Sequence, residues 1–186
     1  CYGLTSVKIP STVKVIGSRA FSSCYQLTSI NLPKGLIQLG EEAFASSGIT
    51  SITIPKGVTE IEKSICSRCE HLQSVDIKDG VTVIGVDAFY RCDSLTSVKI
   101  PNSVEVLGKE AFCRCSSLKS ITLPKNLVEI GEKAFYECDS LETVKLSRVQ
   151  TIADDAFLYC VSLQSIHLPD GLETIGAGAF AYCRSL

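Results

Sequence analysis

Ten cysteines and two histidines are the side chains in this chain best suited to nucleophilic, redox or metal chemistry. Cys66-Ser67-Arg68-Cys69 has C-x-x-C spacing, and Cys113-Arg114-Cys115 lies two repeats further on. A structural zinc needs four ligands converging on a tetrahedron, and a dithiol redox motif needs a βαβ setting. Neither requirement is met in the sequence. Eight cysteines (Cys1, Cys24, Cys69, Cys92, Cys115, Cys138, Cys160 and Cys183) recur in one register. Residues in register on a repeating backbone form a row, and a row does not converge on an ion. Parallel Cβ vectors also make poor disulfides. The row therefore reads as small buried hydrophobes with a weak donor at an interior corner. Cys113, outside that register, is expected to be the most accessible thiol. No metal or cofactor is expected.

The histidines give no catalytic set. His71 falls in a loop before a strand, and His167 occupies an outward strand position. A nucleophile is needed once, beside a base. Here the hydroxyl recurs eight times, at Ser6, Ser29, Ser51, Ser74, Ser97, Ser120, Thr143 and Ser165. Eight copies suit the lining of a sheet. No phosphate-cradling glycine loop and no paired carboxylates occur, and the chain is not expected to be an enzyme.

What must position these residues is a repeat. Aligned on Cys-x-x-Leu, units begin at residues 1, 24, 46, 69, 92, 115, 138 and 160, with a partial unit over 183–186. Six units have 23 residues, and those from Cys24 and Cys138 have 22. The pattern is C-x-x-L-x-S-[VI]-x-[IL]-P-x-x-[VL]-x-x-[IL]-G-x-x-A-F-x-x. A fixed period of this size indicates a solenoid whose coils bury their apolar faces against one another. Residues 1–186 are accordingly one domain of eight coils.

Within each unit, alternation such as Leu4, Val7 and Ile9 against Ser6 and Lys8 marks a strand. Stacked coils should join these strands into one parallel sheet. All six prolines follow it directly, where a missing N–H costs little. A second short apolar segment, "VEVLG" at 104–108 for instance, suits a short strand on another side. The closing "AF" segment is expected to be a helical turn, which makes the fold class α/β. All seven phenylalanines share one column, Phe21 to Phe180, and should stack as an interior spine, with Cys66 replacing the ring in unit three.

Composition narrows the partners. Net charge is −2 over 38 ionisable acidic and basic side chains, so no global field recruits nucleic acid or an anionic membrane. No apolar run approaches the ~18 residues needed to span a bilayer, so no membrane insertion is expected. The chain lacks Met, begins in register with the repeat and stops inside another unit, and reads as a piece of a longer protein.

"L-x-S-[VI]-x-[IL]-P" followed by "[VL]-x-x-[IL]-G-x-x-A-F" resembles the BspA-like class of leucine-rich repeats over the whole chain. The resemblance implies a curved right-handed solenoid with the first strand on the concave face. It also implies a cell-surface or secreted, non-enzymatic role in adhesion to extracellular-matrix, plasma or other host-surface proteins. The sequence departs from the pattern in unit three (Glu62, Ile65, Cys66), at Lys78 and Ser147 in the Pro column, and at Ala153 in a Gly column. Units three and seven should be irregular.

One column varies freely two residues past the Ser position: Lys8, Asn31, Thr53, Asp76, Lys99, Thr122, Lys145 and His167. Rigid strands with a free outward column can present a readable surface. These residues are the candidate partner-binding set, and their mixed sign favours a protein partner over a polyanion. The competing reading is a structural repeat scaffold packed inside a larger intracellular or cytoskeletal assembly.

Overall fold

A computed structural model describes residues 1–186 as a parallel-stranded solenoid of about seven turns. One side carries eight two-residue strands: β1 (Val15–Ile16), β2 (Gln38–Leu39), β4 (Glu60–Ile61), β6 (Val83–Ile84), β8 (Val106–Leu107), β10 (Glu129–Ile130), β12 (Thr151–Ile152) and β14 (Thr174–Ile175). The other carries strands of two to four residues from the S-[VI]-x-[IL] segment, here called the long strands: β3 (Ser51–Ile54), β5 (Ser74–Ile77), β7 (Ser97–Lys99), β9 (Ser120–Thr122), β11 (Thr143–Lys145) and β13 (Ser165–Ile166). Every pairing is parallel and joins equivalent positions of adjacent coils, as Ser51↔Ser74↔Ser97 does. Between the two sides runs one cluster of 47 buried residues.

Three expectations need correction. No helix forms, so the class is an all-β solenoid and not α/β. In the expected helical turn of coil one, Ala20, Ser22 and Cys24 N–H close turns onto the Gly17, Arg19 and Phe21 carbonyls at 3.3, 3.1 and 3.4 Å. The intervening N–H groups of Arg19, Phe21 and Ser23 instead donate to Glu41, Ala43 and Ala45 in the next coil, at 2.9, 2.8 and 2.8 Å. A helix would turn every N–H back onto its own chain. A neighbouring coil offers alternate amides a second set of acceptors, and those inter-coil bonds win. The arrangement places Arg19 (φ 59°) and Ser23 (φ 56°) in the left-handed region, at a cost of about 1–2 kcal/mol each.

Second, the long-strand side is not one sheet. It divides into β3-β5-β7 and β9-β11-β13, and coils one and two form no strand there. Ser97-Val98-Lys99 and Ser120-Ile121-Thr122 are alike in type, so composition does not cause the break between β7 and β9. The short-strand ladder runs unbroken from β4 to β14 across that point and holds the coils together.

Third, Cys113 is not the accessible thiol. It is 3 % exposed, and burial pushes its pKa up to about 12. Cys1 is exposed and Cys183 half-buried, while the six cysteines between them in the register are buried. Their role is local. The Sγ of Cys92, Cys115, Cys138 and Cys160 donates to the carbonyl of Cys66, Phe89, Phe112 and Phe135 respectively in the preceding coil, at 3.1–3.3 Å. Burial raises the Cys115 and Cys138 thiols well above their ordinary value. Thiol labelling of the folded protein should therefore modify Cys1 first and Cys183 next. Labelling of Cys113 or Cys115 as fast as Cys1 would contradict the buried register.

Coil three is irregular for a structural reason. Ser47, one residue beyond the expected unit start, fills the cysteine slot: it is 3 % exposed, and its Oγ lies 3.5 Å from Cys69 Sγ. The short-strand ladder breaks between β2 and β4 at this coil. Backbone stacks on backbone at that corner, since a Cβ at Gly108 would lie 2.7 Å from the Gly85 carbonyl carbon. Glu62 puts a side chain there. Ala153 does so too, yet β10–β12 pairing survives. A Cβ alone is thus tolerated, and the break coincides with the longer Glu62 and the missing residue before Ile49.

Candidate partner-binding face

The long strands alternate inward and outward, with burial reading exposed–buried–exposed–buried along β3. Ile52 and Ile54 face the core, which sends Ser51 and Thr53 outward. The same alternation acts in every coil, and seven of the eight candidate residues are exposed while Asp76 is half-buried. Register brings them together in two groups. Thr53, Asp76 and Lys99 are consecutive partners across β3-β5-β7. Thr122 and Lys145 are partners across β9-β11. His167 lies just past β13, and Lys8 and Asn31 lie in the first two coils, which form no strand on this side.

Over the first group sits a shallow depression of about 490 Å³, lined by the Ser51, Ser74 and Ser97 row and the Thr53, Asp76 and Lys99 row. Asp76 does not pair with Lys99 beside it. It is ion-paired with Lys78, which stands in the Pro column. The replacement also restores an N–H, which donates to the Ile54 carbonyl at 3.0 Å. Sequence reasoning treated Lys78 only as a lapse in the pattern. Its position two residues from Asp76 on one strand face was the available signal. Asp76 Oδ1 is buried without a hydrogen-bond partner in the chain. Threonine hydroxyls stiffen the edge: Thr50 and Thr96 Oγ1 donate to the Thr28 and Gln73 carbonyls of the preceding coil, at 3.2 and 3.1 Å.

Charge is segregated around the coil, and the small net charge conceals it. On the turn side, opposite charges interleave between coils, as in Arg19–Glu42, Lys109–Glu132 and Arg114–Glu137, each at 2.9 Å. The hydrogen bond from Arg19 holds Glu42 below the usual carboxylate range, and Lys109 does the same to Glu132. On the short-strand side Glu60, Glu105, Glu129 and Glu173 point outward. On the long-strand side and its following corner, Lys8, Lys34, Lys56, Lys99, Lys119, Lys125, Lys145 and Arg148 are all exposed and none makes an ion pair. The turn face pairs several of its charges between coils. The long-strand face has cations to spare.

The profile of the BspA type leucine-rich repeat region matches the chain over residues 1–111 and 82–186, in six copies. Among solved structures, a leucine-rich repeat protein from Bacteroides ovatus is 29% identical, with a TM-score of 0.63 over 95% of this chain and 58% of that one. A leucine-rich cell surface protein from Faecalibacterium prausnitzii is 29% identical, with a TM-score of 0.62 over 98% and 58%. A leucine-rich repeat protein from T. pallidum is 28% identical, with a TM-score of 0.77 over 98% and 78%. The chain thus spans 58% of the length of the first two. No curated protein matches it. No helix is long and apolar enough to cross a membrane.

Proposed function

Because the chain belongs to the BspA-type leucine-rich repeat family, we propose that it is a non-enzymatic protein-binding module, displayed at a cell surface and engaging a host or matrix protein through its long-strand face, taken as the concave side. The observation that carries this reading is the contrast between faces. Several charges on the turns are paired with one another between coils, whereas the long strands hold an outward column that changes from coil to coil and keeps its cations free. Side chains on paired strands are ordered before binding, so association loses little loop entropy. The description of the Faecalibacterium relative as a cell surface protein supports surface display.

Hydrogen exchange tests this. The chain would be presented to a panel of extracellular-matrix and plasma proteins, and protection mapped for any that bind. Protection should fall on residues 51–54, 74–77, 97–99, 120–122 and 143–145. Protection confined to the turns around residues 86–91 and 109–114 would replace this reading with a scaffold packed laterally through its turns.

A further inference from the structure

The seventh coil is one residue short, and the shortening falls at the corner between the two strand faces. Coil six crosses that corner with Pro124, Lys125 and Asn126, closed by a Leu127 N–H bond to the Pro124 carbonyl at 3.2 Å. Coil seven crosses it with Ser147 and Arg148 alone and makes no such turn. Where a tight corner stacks against a fuller one, a depression of about 470 Å³ opens, lined by Glu105, Lys125, Asn126, Val128, Arg148 and Gln150.

Lys125 and Arg148 stand at equivalent positions of adjacent coils, 23 residues apart in the chain. Both are exposed, and neither pairs with Glu105 or any other carboxylate. Two like charges in adjacent coils repel, and no acid is paired with either here, whereas on the turn side Glu132 bridges Lys109 and Lys133. Arg148 also keeps a main-chain N–H that bonds to nothing in the chain. Two side-chain amides complete a donor-rich rim.

The geometry points to an oxyanion-binding notch whose ligand is a carboxylate on an acidic segment of the partner protein. This deepens the protein-binding reading and rests on it. Arginine offers a planar fork that matches a carboxylate in two parallel hydrogen bonds, and Lys125 adds a point charge beside it. From the notch the exposed Lys145, Lys119 and Lys99 lead back across the long strands. Glu105 in the notch, and Glu142 and Asp76 on the face, penalise a continuous polyanion such as a sulfated glycan. They tolerate a segment in which acids alternate with basic or neutral residues.

The probe is a short glutamate-rich peptide with a glutamine counterpart, followed by fluorescence anisotropy. The glutamate peptide should bind, more weakly as salt rises, and the glutamine peptide should not. Lys125→Glu/Arg148→Glu should weaken binding about tenfold or more, and Arg148→Lys about threefold because the fork is lost. Lys34→Glu/Lys56→Glu makes the same charge change in the same column of coils two and three, away from the notch, and should shift binding by less than about twofold. Equal losses in the two double variants would overturn the notch in favour of diffuse charge. Binding of the glutamine peptide, or a sulfated oligosaccharide that binds where the glutamate peptide does not, would overturn it too. Matrix-protein binding that survives Lys125→Glu/Arg148→Glu but follows the long strands removes the notch and keeps the protein-binding reading. Peptide capture by the notch with no protein bound along the strands does the reverse.

Discussion

Phe112→Ala is expected to lower stability by about 3–5 kcal/mol and to loosen coils four to six before the rest of the molecule. The ring is fully buried, and it stacks on both faces, 5.3 Å from Phe89 and 5.6 Å from Phe135 between centroids, with planes within 11° and 6°. Its backbone is tied to the coil that follows: Phe112 N–H donates to the Ala134 carbonyl, and its own carbonyl accepts from Cys138 Sγ at 3.1 Å. A cavity between ladders held at fixed spacing cannot collapse, so the cost falls at the upper part of the range. Coil three shows how the loss can be absorbed. There Ile65-Cys66 replaces Ala-Phe, and both are fully buried. Volume removed from one column is returned in the column beside it. Ala111→Ile added to Phe112→Cys should therefore recover part of the stability that Phe112→Cys loses. Hydrogen exchange that leaves coils four to six unchanged in Phe112→Ala would contradict the spine.

Much of this was legible because a repeat asks the same question of each column many times. Phe89, Phe112, Phe135 and Phe157 in one register could only be interior, and the rings stack as expected. The cysteine register and the Ser47 exception follow the same logic, although the missing residue before Ile49 hides which serine takes the slot. What the pattern conceals is hydrogen bonding between coils. "GxxAF" has the composition of a helical turn, and nothing local says that Arg19, Phe21 and Ser23 amides will find acceptors 22 residues later. The split of the long-strand sheet is equally invisible, since it arises between stretches of matching composition. The candidate column was found from variability. Its charge environment was not, because the net charge of −2 sums a basic strand face with acidic short strands. Sorting charges by column exposes that segregation, and only the placement of Lys78 beside Asp76 shows which acid on the face is already answered.

The central claim is that the long-strand face holds the partner, and its charges give the second large effect. Lys99 and Lys145 sit outward on β7 and β11, exposed and unpaired. Reversing both should slow association and weaken binding by about tenfold to a hundredfold, or about 1.4–2.7 kcal/mol, because two attractions become repulsions. Folding should be almost unaffected, since surface charges without partners contribute little to stability. The matched control is Glu41→Lys/Glu42→Lys on the turn side, which breaks the Arg19–Glu42 pair but leaves the strands alone. The deciding measurement is the affinity of these two double variants for one matrix or plasma protein that the unaltered chain binds. The account predicts that Lys99→Glu/Lys145→Glu loses that affinity and the turn-side control keeps it. Loss in the control alone, with the strand variant still binding at full strength, would contradict it.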